Sequence, residues 1–376
     1  MIARPGASLL ERWDALGRPL RHLPQWGAAL VLALLAAALA WSATSIPPPA
    51  HSAPAAKSAP VQNASNASTG PARNKGDMAL YARIAARMAG GEGYYAAALG
   101  EHRASGYPTR PFVTVRLPTL ALVQQTVGLK GVQALAMLIT STAIIALNWR
   151  AAPVGDVPVR ILASAMLAAG GGAALSPVAG YDHDFIAGLL LTLALLAYRP
   201  GCWWPALLAA GAALAVRELA APFVVLWLGF ALAAKRWREV AGVAGILVVF
   251  AGGVAAHAGA VDAARLPGDL VSQGWAGLAG YRLPIAALGE LTGLRFLPAW
   301  LAAPLAVLPL IGWLGRGGRL GLFATLWFGG IATMMALFAR PANYYWAELA
   351  QPAYMLGLAF APQALRDLWR AVARQT

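Results

Sequence analysis

Hydrophobic residues make up 59% of this 376-residue chain and charged residues only 12%, which excludes an ordinary soluble domain and indicates a polytopic membrane protein. The formal net charge of +14 does not indicate a nucleic-acid partner, because the basic residues sit between apolar runs rather than in one patch. The single cysteine, Cys202, excludes an internal disulfide and any cysteine-based metal site.

Runs long enough to cross a bilayer predict an all-α, polytopic membrane helical bundle of about ten transmembrane helices, each needing about 20 apolar residues. They fall at 27–45, 131–149, 159–178, 184–198, 203–217, 219–234, 240–259, 298–315, 320–339 and 346–365. The 184–198 and 203–217 runs are short for this purpose. The flank before the first run, residues 1–26, is long for a signal peptide and predicts a retained signal anchor with a cytoplasmic N-terminus. Arg150, Arg199, Lys235, Arg236, Arg238, Arg316, Arg319 and the arginines of the 366–376 tail then all fall in inside connections, as the positive-inside rule requires.

The first outside segment changes texture along its length. From Ile46 to about Asn74 it is rich in Pro, Ala and Ser with no hydrophobic period, so 46–76 reads as a linker, and its Asn63 and Asn66 sequons read as accidents of composition. From Asp77 to residue 130 the pattern is helical. Leu80, Ile84, Ala85 and Met88 share a face, which predicts an amphipathic juxtamembrane helix over 78–89, ended by Gly90-Gly91. The apolar stretch 112–129, interrupted by Arg116 and Pro118, predicts a second surface-lying or re-entrant helix. A further outside loop spans 260–297, within the 131–365 bundle.

Threaded this way, the chain gathers its unusual polar clusters at one face. Asp77 follows a glycine and precedes a helix, which suits an N-cap as well as a catalytic carboxylate. Tyr181-Asp182-His183-Asp184 fills a tight turn; it suits a solvated turn, or equally a divalent-metal or acceptor-hydroxyl site built from Asp182, His183 and Asp184. Arg217-Glu218 is a charge pair at a hairpin near membrane depth, where such pairs either satisfy one another or bind substrate. Arg340 stands in an outside connection where the positive-inside rule disfavours it, followed by Asn343 and Tyr345, and it calls for an anionic partner such as a lipid phosphate. Tyr344 and Trp346 suit an interfacial belt, and His257 suits a buried, hydrogen-bonded histidine.

Gly76-Asp77, Tyr81, Ala85, Gly91-Glu92-Gly93-Tyr94-Tyr95, Gly106-Tyr107-Pro108 and Arg116-Leu117-Pro118 resemble the first outside loop of the GT-C membrane glycosyltransferases, a superfamily that includes protein O-mannosyltransferases and aminoarabinose transferases. The resemblance implies two juxtamembrane helices, a polyprenyl-phosphate sugar donor and an essential acid soon after the first span. Carried over, it implies that Asp77 is the catalytic base; with such a donor, Arg217, oriented by Glu218, or Arg340, with Arg116 as a third candidate, would hold the phosphate, and Asn343 and Tyr345 are further substrate-binding candidates. It implies a site on the outward face of a bacterial inner membrane, with the lipid bilayer and the lipid-linked donor as partners, no nucleic acid, and an acceptor the sequence does not identify. A transporter or flippase would also use intramembrane charge pairs, but it predicts internal repeats and mid-span helix breaks, and no repeat is visible. An inactive subunit of the same fold is the remaining alternative.

Overall fold

The computed structural model describes residues 9–45, 76–149 and 156–374. The linker predicted over 46–76 and its sequons lie outside the described residues, except for Gly76. Among the described residues every regular element is helical, and the only extended pairing is an isolated bridge between Arg110 and Val271. The longer helices in chain order are α1 Leu9–Leu16, α2 Gln25–Ser45, α3 Asp77–Ala89, α4 Tyr94–Ser105, α5 Thr119–Asn148, α6 Val157–Gly171 and α7 His183–Ala197. They continue as α8 Trp204–Val216, α9 Ala221–Ala233, α10 Trp237–Ala263, α11 Arg282–Leu291, α12 Ala299–Arg316, α13 Gly318–Phe338, α14 Gln351–Tyr354 and α15 Gly357–Val372.

Among the described residues, six helical segments are long and apolar enough to cross a membrane: Gln25–Thr44, Phe112–Asn148, Val157–Leu175, Trp237–Ala263, Ala299–Arg316 and Gly318–Phe338. Three more of the predicted spans take the form of the shorter apolar helices α7, α8 and α9. At 15 residues, α7 is about 22 Å long, short of a hydrocarbon core of about 30 Å. Its environment accounts for this, because nearly every residue of α7 is buried by neighbouring helices. Only a lipid-facing helix must match the bilayer.

The run predicted to span at 346–365 is broken instead. It comprises the end of a 3₁₀ segment, Pro341–Leu349, then α14, then α15. Close backbone packing holds these pieces. A Cβ on Gly188 would lie 2.1 Å from the Glu348 carbonyl, and a Cβ on Gly312 would lie 1.9 Å from the Gly357 carbonyl. Trp313, fully buried, donates its indole N–H to the Ala353 and Tyr354 carbonyls and anchors the turn between α14 and α15. Arg18 Nε donates to Asp367 Oδ2 at 2.7 Å and ties the N-terminal region to α15.

The two helices after the linker pack on each other as an antiparallel pair. Leu80, Ile84 and Met88, at i, i+4 and i+8, are buried against Ala97, Ala98 and Leu99 of α4. Arg83 bonds Glu101 at 2.9 Å across the pair, and Gly106, at φ 71°, closes α4 in the left-handed conformation that favours glycine. The 112–129 stretch comprises a 3₁₀ turn, Phe112–Thr114, and a helix from Thr119 that breaks at Gly128 (φ 71°, ψ 171°), where the long apolar part of α5 begins.

Candidate functional site

Seven of the residues singled out from sequence, Asp77, Arg116, Arg217, Glu218, Arg340, Asn343 and Tyr345, line one cavity of about 230 Å³. The chain brings them there by ending or starting helices at the same end of the bundle. Asp77 opens α3, Arg116 precedes α5, Arg217 and Glu218 follow α8, and Arg340 follows α13. Tyr81, Tyr107, Trp275 and Trp346 complete the wall.

Asp77 does not cap α3. Gly76 holds the N-cap position, at φ 142°, and no side-chain capping bond forms. The Asp77 carboxylate instead lies within hydrogen-bonding reach of the Tyr107 hydroxyl. Burial, and next the charge of Asp77, push the Tyr107 phenol up to about 12, so the hydroxyl remains a donor to the carboxylate at neutral pH.

Below Asp77, two arginines and two acids form a buried, charge-balanced cluster. Arg217, 2% exposed at its side chain, donates from Nε to Asp184 at 2.9 Å and from Nη1 to Glu218. Arg116 sits 4.0 Å from Asp184 and 3.9 Å from Glu218, and donates Nε to Tyr81 Oη at 3.0 Å and Nη2 to Tyr345 Oη at 3.3 Å. Its guanidinium also lies 5.8 Å from the centre of the Tyr345 ring. Arg217 is thus held by two carboxylates and has little capacity left for a ligand. Arg340 contrasts with it. Among the described residues it pairs with no carboxylate, its Nη1 donates to Gln273 Oε1 at 2.9 Å, and its Nε is buried without a partner.

The three residues of the predicted acceptor or metal site do not act as a unit. Asp182 caps α7 by accepting from the Phe185 amide at 3.0 Å, and its carboxyl lies within hydrogen-bonding reach of Glu348. Two carboxylates cannot bond without a proton between them, and burial followed by the Asp184 charge raises Asp182 above the usual carboxylate range. His183 is bound at Nδ1 to the Tyr181 carbonyl, 3.0 Å away, with its ring 4.8 Å from that of Tyr81. Asp184 belongs to Arg217. Among the described residues no group of three His, Cys, Asp or Glu side chains has the spacing to hold a metal ion. The short turn fixes each side chain on a different neighbour, which is why adjacency in sequence does not become a shared site. His257 has the role expected of it, bridging the Val115 carbonyl (3.0 Å) and the Tyr95 hydroxyl (3.2 Å). Since a carbonyl only accepts, Nε2 carries the proton and Nδ1 accepts from Tyr95.

Tyr81, Tyr107, Gln273, Trp275 and Glu348 are not among the site residues that stand out in the sequence. Gln273 and Trp275 belong to a strap, residues 265–280, laid over the cavity. Arg103 clamps its start through Asp269 (2.7 and 3.1 Å), and that bond holds the Asp269 carboxyl well below the usual carboxylate range. The Leu278 and Gly280 amides bond the last carbonyls of α13, Leu337 and Ala336, and fasten the other end. Tyr81 and Tyr107 were visible as part of the loop resemblance, and Trp275, the single aromatic residue among the glycines of 265–280, was its own available signal. No protein-family model matches this sequence, and no curated protein or solved structure shows detectable similarity to it.

Proposed function

We propose that the chain is a GT-C-type membrane glycosyltransferase that moves a sugar from a polyprenyl-phosphate donor to an acceptor hydroxyl. The observation that carries this reading is the convergence on a single cavity, at the ends of apolar helices, of the Asp77 carboxylate and of Arg340, which pairs with no carboxylate among the described residues. In the reaction, the acceptor oxygen bonds to the anomeric carbon, its proton passes to Asp77, and the bond from that carbon to the phosphate oxygen breaks. The electron pair stays on phosphate, where Arg340 stabilises the charge. An apolar groove of about 600 Å³, lined by Trp41, Leu288, Phe328, Met335, Ala347 and Tyr354, borders the same 3₁₀ segment that carries Tyr345 and suits the isoprenoid chain.

On this reading, helices α3 and α4 lie on the outer surface of a bacterial inner membrane. The short α7, α8 and α9 join the six long segments as spans, and the broken 346–365 region brings the total to about ten. In a Cys202→Ser background, a Val271→Cys variant is expected to react with a membrane-impermeant thiol reagent in intact cells, and Arg238→Cys is not. Both positions are exposed. Labelling of Arg238→Cys alone would reverse the orientation.

The donor assignment is tested by binding of undecaprenyl phosphate to folded, detergent-purified variants. Arg340→Lys is expected to weaken binding by about tenfold, since an ammonium lacks the planar fork that matches phosphate. Lys235→Arg, at the opposite end, should leave it unchanged. Equal affinity in wild type, Arg340→Lys and Lys235→Arg would remove Arg340 from the site.

A further inference from the structure

The hydrogen bonds around Tyr345 can be followed donor by donor. The Arg340 amide donates to Asn343 Oδ1 at 3.2 Å, which fixes the orientation of the Asn343 side chain. Asn343 Nδ2 must then face the other way, and it donates to Tyr345 Oη at 3.2 Å. Arg116 Nη2 donates to the same oxygen at 3.3 Å. An amide N–H and a guanidinium cannot accept, so Tyr345 Oη receives two donors and its own hydrogen must go elsewhere. Among the described residues no acceptor takes it. Tyr81 has the same arrangement on the other side of Arg116. Its oxygen receives Arg116 Nε at 3.0 Å, and no protein acceptor takes its hydrogen among the described residues. Both residues line the cavity.

We propose that Tyr81 and Tyr345 are the direct ligands of an oxyanion in this cavity, donating two O–H bonds to it, and that Arg116 acts through them as a positioning residue rather than touching the anion. The proposal rests on the polyprenyl-phosphate reading for the identity of that oxyanion, a phosphate oxygen of the donor. Arg116 polarises both hydroxyls toward the ligand, because each accepts a charge-assisted bond from the same guanidinium. Burial holds the Tyr81 phenol above its ordinary range, so it donates rather than ionises. The arrangement supplies polarised donors to the phosphate without exposing a second free arginine beside Arg340, and the other buried arginine, Arg217, stays with its two carboxylates.

The test compares wild type, Tyr81→Phe and Tyr345→Phe for binding of undecaprenyl phosphate and of inorganic phosphate in detergent. Each loss of a hydrogen bond to a charged ligand is expected to weaken binding by about tenfold or more. Removing the hydroxyl also leaves Arg116 and Asn343 short of an acceptor, so a second variant replaces Tyr345 with 3-fluorotyrosine. That side chain keeps the acceptor oxygen and has a more acidic hydroxyl. Binding is expected to be at least as tight as wild type at neutral pH and to fall off at a lower pH than wild type, as the more acidic hydroxyl ionises. A merely structural oxygen would not move this pH profile. Wild-type binding that is unchanged by Tyr345→Phe, or a fluorotyrosine profile that coincides with wild type, would overturn the proposal. Inorganic phosphate bound with tyrosine dependence but no undecaprenyl phosphate bound would keep the hydroxyl roles and reject the lipid donor. Failure of the wild type to bind either ligand would reject both.

Discussion

Replacement of Asp77 by Asn is expected to lower sugar transfer by about 10²-fold or more while the protein still folds and inserts. Asn keeps the size of the side chain and an oxygen that can accept from Tyr107, so the wall of the cavity should hold its shape. What it removes is the charge and the ability to take a proton from the acceptor. A loss through helix capping is not expected, because Gly76 rather than Asp77 occupies the cap position and no capping bond forms. The comparison is made on purified protein at matched amounts, with a folding check by size exclusion. Full activity in Asp77→Asn would remove the carboxylate from the chemistry.

Asp184→Asn is expected to produce the largest loss of stability among the site variants. Arg217 is almost completely buried, and Asp184 and Glu218 are its carboxylate partners. Breaking a buried pair by removing one partner leaves uncompensated charge and costs about 3–5 kcal/mol. The lower end applies here, because Glu218 remains. Asp182→Asn, two residues away, should cost much less. Its amide oxygen can still cap Phe185, and its N–H groups can donate to Glu348, where the native pair needs a shared proton. Unfolding followed by heat in detergent distinguishes the two. Equal stability of Asp184→Asn and Asp182→Asn would mean that the buried cluster does not depend on Asp184.

Much of the cavity was legible because charge near membrane depth is costly and so marks itself. Asp77, Arg116, Arg217, Glu218 and Arg340 stand out against apolar runs, and placing helix ends at one face is enough to bring them together. What each does there was less legible. Arg217 and Arg340 look alike in sequence, yet one is neutralised by two acids and the other, among the described residues, has only a glutamine as side-chain partner. The roles in the Asp182–Asp184 turn were hidden for the opposite reason, since adjacent residues at a helix start point to different neighbours. The strap was invisible because it depends on Arg103 meeting Asp269, 166 residues away. The helical bundle followed from hydrophobic runs, but the break across 346–365 did not. That break depends on glycines of other helices, Gly188 and Gly312, which admit the backbone of this region where any side chain would block it.

Sugar transfer itself decides whether the cavity is an active site. Purified protein in proteoliposomes would receive a polyprenyl-phosphate sugar radiolabelled in the sugar, with a bacterial envelope extract as the source of acceptor. With wild-type protein the label is expected to leave the lipid and appear on an acceptor, with polyprenyl phosphate left behind, and with Asp77→Asn it should remain on the lipid. Donor that binds but is never discharged, with wild type and Asp77→Asn indistinguishable, would contradict glycosyl transfer.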